Sequence, residues 1–102
     1  MAASRIEVFE QMLAGDPDNT MVRFGLSKEY EKAGDETKLI ATLERYLAAA
    51  DDEGNAYGML ARAYERLKQT DKARESYRRG VEAATAHGHP GMAEEYRQML
   101  EG

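Results

Sequence analysis

Large apolar residues recur three and four positions apart along this chain, as in Leu26 and Tyr30, and again in Leu39, Ile40, Leu43 and Leu47. That spacing gathers them on one face of a helix. The polar punctuation between such runs marks where helices start and stop. Ser4 followed by Glu7 is a capping box. Gly15-Asp16-Pro17-Asp18-Asn19 reads as a turn, with Gly15 a left-handed stop and Asp18 or Asn19 the next cap. Gly34-Asp35 repeats that logic, and Asp51-Asp52-Glu53-Gly54 and Lys68-Gln69-Thr70-Asp71 mark two further breaks. Gly88 closes a fifth segment, and Pro90 sits where a first-turn proline is tolerated. The pattern predicts an all-α protein of six helices, near 3–14, 19–33, 36–50, 53–68, 71–87 and 90–101.

Laid on itself at an offset of 34, the chain pairs Leu26 with Leu60, Ser27 with Ala61, Tyr30 with Tyr64, Leu43 with Tyr77 and Leu47 with Val81. The same offset reaches back to pair Ile6 with Ile40, Phe9 with Leu43 and Leu13 with Leu47. Large, small and aromatic residues are each kept in kind, which is the mark of a repeated supersecondary unit. Ser27, Ala61 and Ala73 are small enough to let antiparallel helices approach closely. Tyr30, Tyr64 and Tyr77 supply bulk with a hydroxyl that can reach a polar edge.

Tyr57, Leu60, Ala61, Tyr64, Ala73, Tyr77 and Gly80 stand in the order and spacing of a tetratricopeptide repeat, and on these residues the chain resembles that family. Residues 54–87 match best. In residues 20–53, Leu26, Ser27, Tyr30, Gly34-Asp35 and Leu43 match, while Arg23 replaces the early aromatic and Leu39 and Tyr46 stand where small residues are usual. Residues 3–17 resemble the second helix of a repeat whose first helix is missing, and residues 88–102, out of register, a capping helix. The resemblance implies one domain over residues 1–102, with antiparallel helix pairs stacked in a right-handed superhelix and a concave face that binds a protein or peptide.

Composition narrows the function. A net charge of −5 opposes phosphate binding, so no nucleic-acid partner is expected. The absence of cysteine removes disulfides, thiolate nucleophiles and Cys-ligated zinc. No run is apolar for long enough to span a membrane or serve as a signal peptide, and a cytoplasmic location is expected.

Catalytic constellations are missing. Ser4, Ser27 and Ser76 read as a cap, a helix contact and a helix interior, and no phosphate loop or His-Glu-x-x-His motif occurs. Asp51-Asp52 and Glu94-Glu95 read as solvated loop and helix face. His87-Gly88-His89 lacks a full ligand set, so His87 is expected in a helix's last turn and His89 as a cap. Met12, Met59, Met92 and Met99 are expected to pack in the core. No enzyme activity, cofactor or metal is expected.

The expected binding residues lie on the first helix of each pair, turned away from the packing edge: Met21, Phe24 and Lys28, then Asn55, Gly58 and Arg62. Phe24 would anchor a partner, Gly58 would open room opposite, and Lys28 and Arg62 would hold acidic groups of the partner. A second reading is a self-assembling subunit, with Val8 and Met12 of the first helix as the contact strip, giving a monomer or weak homo-oligomer.

Overall fold

The computed structural model describes residues 4–102, so the expected helix start at residue 3 and the reading of Met1-Ala2-Ala3 lie outside the described residues. Six helices follow in order: α1 (Arg5–Gly15), α2 (Thr20–Ala33), α3 (Glu36–Ala49), α4 (Asn55–Arg66), α5 (Thr70–Ala86) and α6 (Pro90–Glu101). No strand occurs among the described residues, and none of their helices is long and apolar enough to cross a membrane. The chain divides into two compact units, Met1–Ala50 and Asp51–Gly102.

In the first unit α1 packs on α2 and α2 on α3. Ser4 Oγ accepts from the Glu7 N–H, Asn19 Oδ1 from Val22 and Asp35 Oδ1 from Lys38, so three helix starts carry side-chain caps. Gly34, at φ 73°, ends α2 in the left-handed conformation, and the next N–H, that of Asp35, donates back to the Tyr30 carbonyl. Gly15 behaves otherwise than expected. It stays inside α1, and Asp16, at φ −148° and ψ 73° before Pro17, closes the helix. Leu26, Ser27, Tyr30, Leu39, Leu43 and Leu47 form the buried side of α2 and α3. The Ser27 hydroxyl donates 2.6 Å to the Phe24 carbonyl, which makes its burial tolerable. Val8 and Met12 of α1 are exposed.

In the second unit α4 packs on α5 and α5 on α6. Asp52 is buried rather than solvated, because its Oδ2 accepts from the N–H groups of Gly54 and Ala56 and so caps α4 from two residues upstream of Gly54. Ala56, Leu60, Ala61 and Ala63 of α4 are wholly enclosed. Tyr96 of α6 joins Ala61 and Tyr77 in one apolar cluster, against which Val81, Met92 and Leu100 pack. Among the methionines, Met59 is buried and Met92 partly so. Met12 and Met99 are exposed, since their turns of α1 and α6 face outward.

Glycine sets the spacing here. A Cβ on Gly80 would lie 2.8 Å from Tyr96 Cδ2 and 3.1 Å from Tyr57 Cβ, and one on Gly58 would lie 2.9 Å from Tyr96 Cζ. The Tyr96 hydroxyl donates 3.0 Å to the Gly54 carbonyl, so the ring cannot retreat without losing a buried hydrogen bond. Gly80→Ala gains about 1 kcal/mol of helix propensity. Overpacking against a held aromatic ring costs about 1–3 kcal/mol. The expected outcome is a net destabilisation in denaturant melts, and a variant more stable than the parent would contradict this packing.

Candidate partner-binding surfaces

In the first unit, α2 presents Met21, Phe24 and Lys28 on successive turns. Met21 is 84% exposed, the largest exposure among the large apolar residues described. Phe24 is half-buried, with its ring centroid 5.0 Å from that of Tyr46 on α3. The Lys28 ammonium sits 5.3 Å from the Phe24 centroid, a cation–π geometry. Tyr46, whose bulk departs from the repeat pattern, thus supports the aromatic from below. The surface is an apolar patch edged by one positive charge.

In the second unit, Asn55 and Arg62 of α4 are exposed, but Gly58 is buried. The expectation that Gly58 opens room for a partner needs correction. The side chain of Tyr96 fills that room, with its hydroxyl against the position a Gly58 Cβ would take. The glycine serves the packing of α6 instead. Arg62 lies close to Tyr77 and Tyr96 and favours ionisation of their hydroxyls, while burial pushes Tyr77 up to about 12 and Tyr96 up as well. Neither Lys28 nor Arg62 has an ion-pair partner among the described residues. Glu65, a candidate partner for Arg62, instead accepts from the Tyr77 hydroxyl at 2.9 Å. Both cations are available to carboxylates from outside.

The histidines close the second unit on itself. His87 follows the last turn of α5 and places Nε2 3.1 Å from Asp51 Oδ1. His89 occupies the N-cap position of α6, yet its ring makes no capping bond and lies 2.5 Å from Glu53 Oε1. Gly88, at φ 76°, provides the left-handed turn between the two rings. The two pairs tie the segment before α4 to the turn between α5 and α6. Among the described residues, no group of three or more His, Cys, Asp or Glu side chains is arranged to hold a metal ion.

A tetratricopeptide-repeat family model matches residues 54–87. A TPR repeat-containing protein of Pseudomonas aeruginosa is 32% identical over 83 residues, which cover 81% of this chain and 79% of that protein. The solution structure of a Bordetella parapertussis protein superposes with a TM-score of 0.80 at 24% identity, covering 98% of this chain and 87% of the other. That second likeness is one of fold.

The histidine pairs predict a pH dependence. The hydrogen bond to Asp51 raises the His87 pKa above its ordinary 6.5. A raised folded-state value means that this contribution to stability is complete below about 6.5 and is lost as pH rises through the folded value. Glu53 is lowered from 4.5, first by its hydrogen bond to His89, so its contribution is present above 4.5 and is lost as pH falls through the folded value. The difference in melting temperature between the parent and a His87→Gln/His89→Gln variant should therefore peak between those two pH values and shrink toward pH ~8. A difference independent of pH would mean that the rings act only by packing.

Proposed function

Because this chain belongs to the tetratricopeptide-repeat family, whose repeats generally mediate protein–protein interaction, we propose that it is a binding module for a protein or peptide partner carrying acidic groups. The observation that carries the reading is the α2 patch: an exposed Met21, a half-buried Phe24 held by Tyr46, and a Lys28 with no ion pair among the described residues. An aromatic seated on its own unit and edged by a cation is the usual composition of a binding hot spot. The second unit contributes Asn55 and Arg62 as a separate polar patch on α4. Exposure of Val8 and Met12 on α1 favours a second reading, association with another copy through that strip.

Titrated against its partner at two salt concentrations, Phe24→Ala should weaken binding by about 1–3 kcal/mol. Lys28→Ala and Arg62→Ala should act mainly on the association rate and reduce its salt dependence, because exposed rim charges steer encounter more than they hold the complex. Thermal melts serve as the control for folding. Unchanged affinity and rate in all three variants would place the partner on a different surface.

A further inference from the structure

Of the six helices, α1 alone carries no buried residue. Its inner side, with Ile6, Phe9 and Leu13, is half-buried, and the Phe9 ring lies 3.2 Å from where a Cβ on Gly25 of α2 would stand. The opposite side holds Arg5, Val8, Met12 and Gly15, three and four apart and so on one stripe. Val8 is 43% and Met12 48% exposed.

The repeat register says what belongs on that stripe. Met12 stands 34 residues before Tyr46, and Tyr46 stands 34 before Gly80. Tyr46 of α3 packs against Phe24 of α2, and Tyr57 of α4 lies 3.1 Å from where a Cβ on Gly80 of α5 would stand. In both pairs the covering helix is joined to its mate by a short turn and runs antiparallel to it. Met12 thus occupies a position built to lie under an antiparallel helix.

The ends of the stripe are oppositely charged. Arg5 meets Glu29 at 3.4 Å but keeps 75% of its side chain exposed. Asp16, which closes α1, is exposed, and its carboxylate accepts only from the neutral Asn19 amide among the described residues. A Cβ on Gly15 would meet nothing within 4 Å, so the chain's own packing does not call for glycine there, where it costs helix propensity.

We infer that α1 pairs with α1 of a second copy, antiparallel across a two-fold axis. Such an interface brings the same patch together from both copies, so the patch must complement itself. An antiparallel pairing centred between Val8 and Met12 sets each Val8 against the second copy's Met12. It also sets each Arg5 beside the second copy's Asp16, with Gly15 giving the arginine room. A parallel pairing would oppose like charges and like helix ends. This pairing rests on the second functional reading, association through the α1 strip, and adds to it the mate, the direction and the symmetry. Two helices of 11 residues, each ~16 Å long, bury too little to hold a permanent dimer, so the pair is weak and dissociates on dilution.

The test is sedimentation equilibrium of the full chain from about 10 μM to about 1 mM, with thermal melts as the control for folding. The average mass should rise with concentration toward twice that of the monomer. Met12→Glu, a change at an exposed position, should fold like the parent and weaken the dimer more than tenfold. Arg5→Glu and Asp16→Arg should each weaken it several-fold, and the two together should restore it. Within one copy these residues stand 11 positions apart, ~16 Å along the helix, so rescue reports a contact between copies. Phe24→Ala should leave the dimer unchanged. A monomer throughout the range overturns both the pairing and the second reading, and leaves the stripe to a helix of a different protein. Association that survives Met12→Glu also overturns both. Association lost in Met12→Glu but indifferent to the charge exchange overturns the antiparallel pairing alone.

Discussion

Tyr96 lies across Gly58 of α4 and Gly80 of α5 while its hydroxyl reaches the Gly54 carbonyl, so three helices of the second unit meet at one ring. Each glycine costs helix propensity, and the close approach it permits returns that through burial of a large aromatic. Tyr77 packs beside it at a tilt of 49°, with its centroid 5.6 Å from that of Tyr96, and the cluster fixes how α6 closes over the pair below. The same segment is tied at its edge by His87 to Asp51 and His89 to Glu53, exposed contacts that can only adjust a geometry the core has already set.

The first unit is built with more volume and less glycine. Leu39 is fully buried where the repeat usually has a small residue, and Tyr46 turns its bulk toward Phe24. The consequence is an aromatic that is neither core nor loose surface. Its neighbour in sequence, Arg23, has the opposite character: a charge in a place suited to a ring. Phe24 and Arg23 both lie on α2, the helix that carries the proposed contacts in this unit, whereas Leu39 and Tyr46 lie on α3.

Helix number and boundaries were legible because caps act locally: Asn19, Asp35, Gly34, Gly88 and Pro90 each do their work within a few residues. The second repeat was legible because its small and aromatic positions are set by close helix contact, the feature a fixed offset detects. What escaped depends on tertiary partners. Gly58 looked like open space because α6 falls outside the repeat register, and nothing in the spacing announces that Tyr96 will fill it. Asp52 looked like a solvated loop residue, and its capping of α4 depends on how the 51–54 turn folds. Met12 and Met99 matched helical apolar positions but sit on faces that no described helix covers. The burial of Arg23 left only a faint trace in sequence, its departure from the expected aromatic.

The central claim, that the α2 face of the first unit receives a different protein, is tested most directly by site-specific photo-crosslinking in cells. A photoreactive side chain replaces Met21, which is 84% exposed beside Phe24, and in a parallel variant replaces the exposed Ala48 on α3. The account predicts a discrete heterologous crosslink from position 21 that is absent from position 48 and is lost when Phe24→Ala is added. Crosslinks from position 21 only to a second copy of this chain, or equal capture from both positions, would contradict it.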